Sequence, residues 1–292
     1  MDKTVGIIGL GIMGGAIARN LAERGWTVIG FDLDEGKRAE AAAAGVTLAA
    51  SAADVAHRAP ILFTSLPSPK AVVAVAQEIA SSGAPARIVC EFSTLALADK
   101  MKFKEILEAA GHTPLDCPLS GTGAQAAVRD LIVYASGDTA AIKACVPAFE
   151  DFSKQNADLG AYGNGSKLKF IANHLVAIHN VASAEAMVLA KKAGLDAEQV
   201  VALVGPGAGG SRMFQMRAPM MATNVYEPPT MRCSTWQKDM QVIGDFAKDL
   251  DCPTPLFTLT EPIYKKTLEM GLGDLDTAAV CVVLEAEAGL RK

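Results

Sequence analysis

Three stretches of the chain carry residue types whose spacing could do chemistry. Thr4-Val5-Gly6-Ile7-Ile8-Gly9-Leu10-Gly11-Ile12-Met13-Gly14 sets a G-x-G-x-x-G turn after an apolar run and ahead of a helical pattern. Gly9 permits the tight turn, Gly11 lets a pyrophosphate approach the backbone, and Gly14 lets helix pack closely on strand. The helix start adds free N–H groups and a positive dipole end, so Leu10, Ile12 and Met13 join the glycines as candidate phosphate contacts. Asp32 stands 23 residues after Gly9, at the end of a second apolar run. There it is either a solvated strand-end residue or a carboxylate accepting hydrogen bonds from an adenosine ribose. In the second role it repels a 2′-phosphate, and Leu33 and Asp34 supply no cation, so the expected cofactor is NAD(H) in preference to NADP(H).

The second stretch is Gly163-Asn164-Gly165-Ser166-Lys167-Leu168-Lys169. On a helix, Ser166 and Asn173 share the face of Lys169, so Lys169 and Asn173 are expected to point into one cleft. An amine desolvated near a helix N-terminus falls from its ordinary pKa of about 10.4 toward a value useful for proton transfer. The residues alone leave this open against a solvated helix lysine, of which Lys167 is the example. The third stretch, Ser120-Gly121-Thr122-Gly123, offers a hydroxyl and successive flexible amides. It reads either as a carboxylate cradle or as a plain glycine-rich turn.

The elements that must position these groups follow from hydrophobic periodicity. Strand patterns at Thr4–Ile8, Thr27–Asp32, Ile61–Ser65, Arg87–Glu91, His112–Asp116 and Leu131–Ser136 alternate with helical patterns at Met13–Arg24, Glu35–Ala44, Pro69–Ser82 and Leu97–Ala110. Helix-length crossovers between apolar runs predict a mostly parallel, doubly wound α/β sheet. A helical run from Ser166 to about Ala193 follows, and at about 1.5 Å per residue it would be roughly 40 Å long. Beyond it Gln199–Val204, Met213–Met221, Cys233–Leu250, Thr258–Met270 and Thr277–Gly289 all read as helices. The expected organisation is a dinucleotide-binding domain over 1–162, an interdomain helix over 163–193 and an all-α C-terminal domain over 194–292. Met213, Met216 and Met220 fall on one helix face and read as core.

With these segments in their order, the chain resembles the β-hydroxyacid dehydrogenase family. That family includes 3-hydroxyisobutyrate dehydrogenases, tartronate semialdehyde reductases and glyoxylate/succinic semialdehyde reductases. The resemblance runs nearly end to end, through the glycine-rich turn, Ser65-Leu66-Pro67, Ser93-Thr94, Asp116-Cys117-Pro118-Leu119-Ser120-Gly121, the Lys169 segment, Lys238-Asp239 and Gly271-Leu272-Gly273-Asp274-Leu275-Asp276. It implies a Rossmann domain followed by a long helix and an all-helical domain. It implies Lys169 as the general acid/base, with Asn173 binding substrate or holding the lysine. It further implies carboxylate binding by Ser120, Gly121 and Thr122, and places Thr94 near nicotinamide and substrate. Leu66, Pro67 and Lys238 would meet the cofactor, Asp239 would orient the lysine, and Met231, where one branch tends to have Phe, would shape the substrate pocket. The sequence departs from the family at Thr122 and Arg129, where glycine is common; Arg129 reads as a surface residue. By the same resemblance a homodimer or homotetramer is expected.

Composition sets outer limits. The 292 residues carry 27 Lys+Arg against 32 Asp+Glu, a net charge of −5, which gives no electrostatic reason for a nucleic-acid partner. The longest apolar run, Ala279 to Leu284, is too short for a membrane span, and no secretory pattern precedes Thr4, so a cytoplasmic protein is expected. Six scattered Cys without a CxxC pair and four His without HxxxH predict reduced thiols and no metal site. The expected partner is a small hydroxy acid or semialdehyde. The alternatives are a non-catalytic dinucleotide-binding regulator, or an imine reductase, whose relatives usually replace the lysine that this chain keeps.

Overall fold

The computed structural model describes residues 3–291. The chain divides into a first compact unit ending at Lys169 and a second beginning at Phe170. The first unit contains, in order, β1 (Thr4–Ile8), α1 (Ile12–Glu23), β2 (Thr27–Phe31), α2 (Glu35–Ala43), β3 (Thr47–Leu48), α3 (Ala52–Arg58), β4 (Ile61–Thr64), α4 (Pro69–Ser81), β5 (Ile88–Glu91), α5 (Leu97–Ala109) and β6 (Thr113–Asp116). It continues with β7 (Leu119–Ser120), α6 (Gly123–Ala127), β8 (Ile132–Ala135), α7 (Thr139–Phe152) and β9 (Gln155–Asp158).

The main sheet has the order β3-β2-β1-β4-β5-β6 and every pairing in it is parallel. It is the Rossmann arrangement, with helices on both faces. Alternation along the strands separates the two cores. Val5, Ile7, Phe63, Cys90 and Leu115 face one layer with Ile17 and Leu21 of α1 and Phe149 and Phe152 of α7. Ile8, Leu62 and Val89 face the other with Val55 of α3, Val72 and Ile79 of α4 and Phe103 of α5. In a chain with few aromatics, Phe63, Phe92, Phe149 and Phe152 gather with ring centroids 4.9 to 6.5 Å apart. Each such burial contributes about 2–3 kcal/mol.

The run at Leu131–Ser136 departs from the expected alternation. Its strand β8 pairs antiparallel with β7 and parallel with β9, in a separate three-stranded sheet. The sixth strand of the main sheet is instead the two-residue edge strand β3, too short to leave a periodic signal.

One long helix, α8 (Asn164–Lys192), bridges the unit boundary in sequence; its 29 residues span about 43 Å at about 1.5 Å each. The second unit holds the rest of α8, then α9 (Ala197–Val204), α10 (Arg212–Thr223), α11 (Cys233–Asp249), α12 (Pro255–Glu269), a 3-10 turn (Thr277–Ala279) and α13 (Val280–Glu287). No strand occurs among its described residues. The buried stripe of α10 is Phe214, Arg217, Ala218 and Met221, while Met213, Met216 and Met220 lie half-buried beside it. The expected methionine core face is therefore displaced, because Arg217 turns inward to Asp276 at 3.0 Å. Among the described residues no helix is long and apolar enough to cross a membrane, and no group of His, Cys, Asp or Glu is arranged to hold a metal ion.

Candidate functional site

Parallel register places five strand ends in one row. Phe31 pairs with Ile8, Ile8 with Thr64, Thr64 with Glu91, and Glu91 with Asp116. The residues that leave this row at the carboxyl edge are those singled out in the sequence: Asp32, Gly9 and Leu10, Ser65 to Pro67, and Ser93 and Thr94. Ligands of open α/β sheets bind at this edge.

The loops lock onto one another. Asp32 Oδ2 accepts the Leu10 N–H at 2.6 Å, and Oδ1 accepts that of Asp34 at 2.9 Å. Its carboxylate thus fastens the glycine-rich turn to the end of β2. Gly9 has φ +93, and a Cβ there would stand 2.2 Å from the Ser65 carbonyl oxygen. A Cβ on Gly14 would lie 1.9 Å from the Gly9 carbonyl oxygen. The protein's own backbone therefore dictates glycine at both positions. At Gly11 a Cβ would meet nothing within 4 Å, so no packing inside the protein accounts for glycine there.

Helix starts sharpen the contrast. Helices α2, α3, α4, α6 and α7 begin at the side-chain caps Asp34, Ser51, Ser68, Thr122 and Asp138. Helix α1 begins at Gly11 with no side-chain cap, as α5 does at Ala96, but only α1 starts within the glycine-rich turn. Its first N–H groups are oriented as an anion site, and a dinucleotide pyrophosphate fits both the uncapped start and the open approach at Gly11.

The Ser120–Gly123 turn reaches the same place. A Cβ on Gly123 would stand 2.4 Å from Ile12 Cγ2, and Asn20 Nδ2 donates to the Ala126 carbonyl at 2.8 Å. Within this turn Thr122 and Gln125 form a capping box, with the Thr122 N–H donating to Gln125 Oε1 at 3.0 Å. The Thr122 amide, one of the expected carboxylate contacts, is thus engaged inside the protein. Arg129, read from the sequence as a surface residue, is half-buried with φ 61. Its neighbour Asp130 instead meets Lys154 at 2.5 Å and Gln125 at 2.8 Å.

The first turn of α8 is fixed by a group that sequence reasoning missed. Asp116, fully buried, accepts the Ser166 N–H and hydroxyl at 2.8 Å each. It also faces Lys100 at 3.0 Å, and Lys100 pairs in turn with the buried Glu91. Burial alone would depress the Lys100 ammonium, but Glu91 and Asp116 hold its pKa above the ordinary lysine value. Lys169, half-buried, follows Ser166 by three residues on the same helix. The missed signal was a lysine on the stripe Lys100, Phe103 and Leu107, where periodicity asks for an apolar residue.

In the second unit, Asn173 Nδ2 donates to Asp239 Oδ2 at 3.0 Å, and Lys238 pairs with Asp239 Oδ1 at 3.1 Å. Asn173 and Asp239 are each 5 % exposed, while Lys238 is half-buried. Met231 is held by a different network: its N–H donates to Asp276 at 3.2 Å and its carbonyl accepts from Thr277 at 2.9 Å.

Comparison with known proteins agrees with this architecture. Residues 4–163 match the NAD binding domain of 6-phosphogluconate dehydrogenase, and residues 163–284 match the NAD-binding domain of NADP-dependent 3-hydroxyisobutyrate dehydrogenase. The chain is 30 % identical to glyoxylate/succinic semialdehyde reductase 1 of Arabidopsis thaliana, over 94 % of this chain and 96 % of that protein. It is 32 % identical to an Escherichia coli L-threonate dehydrogenase, over 94 % and 93 % of the two chains. A crystal structure of 3-hydroxyisobutyrate dehydrogenase from Salmonella typhimurium superposes with a TM-score of 0.87 at 31 % identity, covering 96 % of this chain and 99 % of the other. With both halves matched in order and relatives aligned nearly end to end, the chain belongs to the β-hydroxyacid dehydrogenase family.

Proposed function

We propose that the protein moves hydride between NAD(H) and a short β-hydroxy acid or its semialdehyde, with Lys169 as the proton carrier. The observation that carries the reading is the row of strand ends. It gathers the glycine-rich turn, Asp32 and the Ser93–Thr94 loop, and through Asp116 it ties the α8 turn ahead of Lys169 to the same sheet edge.

A bound nicotinamide dinucleotide supplies the redox chemistry, which side chains cannot provide. Gly9, Leu10, Gly11, Ile12, Met13 and Gly14 hold its pyrophosphate; Leu66, Pro67, Thr94 and Lys238 are further contacts. Asp32 favours an unphosphorylated ribose, because its charge and that of Asp34 oppose a 2′-phosphate. The Lys169 amine takes the hydroxyl proton when an alcohol is oxidised and returns one to the oxygen when a carbonyl is reduced. Ser120 and Gly121 grip the acid end; the Thr122 amide, already donating to Gln125, contributes by fixing the turn. Asn173 is oriented by Asp239, and Met231 shapes the acyl side. Association with a second copy, as a homodimer or homotetramer, belongs to the same reading.

The test is an absorbance assay with glyoxylate and succinic semialdehyde as oxidants of NADH or NADPH, and with 3-hydroxyisobutyrate and L-threonate as reductants of NAD+ or NADP+. Turnover of at least one, with NADH or NAD+ giving the higher kcat/KM, is expected. Lys169→Ala should abolish turnover while NADH binding persists. Turnover retained in Lys169→Ala removes the lysine from the mechanism, and equal or better efficiency with the phosphorylated cofactor overturns the NAD preference. No turnover of any of the four, with NADH bound, favours a binding protein or an imine substrate, for which a cyclic imine is the next probe.

A further inference from the structure

A lysine with a fully buried side chain, on a helix face otherwise lined by Phe103 and Leu107, needs a reason. Stability alone does not supply one, since a buried ion pair is commonly replaceable by well-packed apolar side chains without loss. We propose that Lys100 is a positioning residue: held between Glu91 and Asp116, it fixes the Ser93–Thr94 loop and the first turn of α8 in a single geometry. This rests on Lys169 being the proton carrier.

The connections run outward from the ammonium in two directions. Toward the cofactor loops, Lys100 pairs with Glu91, and Glu91 Oε1 accepts the Ser93 N–H at 2.9 Å. The Ser93 hydroxyl then accepts the Leu66 N–H at 2.9 Å. Toward the catalytic helix, Lys100 Nζ lies 3.0 Å from Asp116 Oδ1, which accepts the Ser166 hydroxyl, while Oδ2 accepts the Ser166 N–H. The Ser136 hydroxyl, 3.3 Å from Asp116 Oδ2, accepts the Gly165 N–H at 3.0 Å. The Tyr162 hydroxyl closes the ring by donating to the Lys100 carbonyl at 3.0 Å.

Charge balance supports the same assignment. Two carboxylates face one ammonium, and the remaining negative charge meets the N-terminal turn of α8, where the helix dipole is positive. Without the cation, Glu91 and Asp116 are buried neighbours of like charge on adjacent strands, and one must take up a proton. Asp116 then grips Ser166 less firmly, and Lys169, one turn onward, loses its fixed position. A displacement near 1 Å can cost about 100-fold in rate.

The experiment compares Lys100→Met, Ser166→Ala and their double variant in the full-length protein, using the fastest of the four substrates named above, with Lys169→Ala alongside. Each single variant should lower kcat by roughly 10- to 100-fold while the NADH dissociation constant stays within about threefold. The double variant should be no slower than the slower single, because both break one path. If Lys100→Met does not fold, Glu91→Gln/Lys100→Met removes both charges and takes its place. Folded, NADH-binding variants with kcat within about twofold of the parent overturn the proposal, as does simple additivity in the double variant. An active Lys169→Ala instead overturns the assignment of the proton carrier, so the two failures are told apart.

Discussion

Replacing Gly11 and Gly14 one at a time separates what the fold demands from what a ligand demands. Gly11 has φ −64 and ψ −160, an extended conformation open to alanine, and its added Cβ would have nothing within 4 Å. Losing glycine at an N-cap costs under about 1 kcal/mol, and the stiffer unfolded chain returns about 0.4–1 kcal/mol. Gly11→Ala should therefore leave the melting temperature within about 2 °C of the parent. Gly14→Ala forces a methyl to 1.9 Å from the Gly9 carbonyl oxygen. Overpacking of that severity costs about 3 kcal/mol, which at about 2–4 °C per kcal/mol lowers the first unfolding transition by roughly 6–12 °C. NADH binding responds in the opposite order. A methyl at Gly11 keeps a pyrophosphate from the amides, and losing one charge-assisted hydrogen bond costs about 1.5–3 kcal/mol. That is roughly a 10- to 100-fold rise in the dissociation constant. Scanning fluorimetry with and without NADH, together with a fluorescence titration, measures both quantities. Gly11→Ala destabilising as much as Gly14→Ala, or binding NADH like the parent, would refute the reasoning.

Two further outcomes follow from buried groups. Burial raises the Asp276 carboxyl, but Arg217 beside it and bonds from Thr230 and the Ala278 amide bring it below the ordinary carboxylate range. Its stabilisation is complete above the unfolded value of about 3.9 and disappears as pH falls through the lower folded value. Asp276→Asn, which strands Arg217, should cost about 3–5 kcal/mol at neutral pH, with the gap to the parent narrowing below about pH 4; urea unfolding with an unchanged gap at low pH would contradict this. Of the six thiols only Cys252 is exposed, and burial pushes Cys233 and Cys281 up to about 11 and raises Cys90 and Cys117 as well. Ellman's reagent should find one fast thiol in the native protein and six after unfolding; a second fast thiol contradicts the packing.

What was legible in the sequence is what leaves a local period. The strands β1, β2, β4, β5 and β6 and the helices α1, α4, α5, α8 and α11 repeat at 2 or 3.6 residues over enough positions to be seen. The two-residue β3 and β7 and the five-residue α6 carry no such period, so the second sheet and the capping of the Ser120–Gly123 turn stayed hidden. The candidate residues were legible for a related reason: glycines required by Ser65 and by Gly9 itself stand at fixed spacing. The partners of those residues were not. Asp239 could be named, but its bond to Asn173 joins positions 66 apart. The Asp116–Ser166 bonds join positions 50 apart, and no local pattern marks either one.

Lys100 shows how a tertiary constraint overrides a local rule. Its stripe on α5 asks for an apolar side chain, and by propensity and burial a leucine would serve. Register decides otherwise. Glu91 and Asp116 sit opposite each other at the ends of β5 and β6, both fully buried, and in-register like charges repel. Each carboxylate has work that depends on its charge: Glu91 holds the Ser93 amide, and Asp116 takes two bonds from Ser166. Protonating either would turn an acceptor into a donor aimed at another donor. A cation between them lets both stay ionised, and α5 is the helix that crosses from β5 to β6, so its first turn is within reach of both strand ends. The buried lysine is thus a consequence of fastening two loops to one sheet edge with two carboxylates. Glu91→Gln, which leaves Lys100 and Asp116 as a one-to-one pair, should accordingly disturb the α8 turn less than Lys100→Met does.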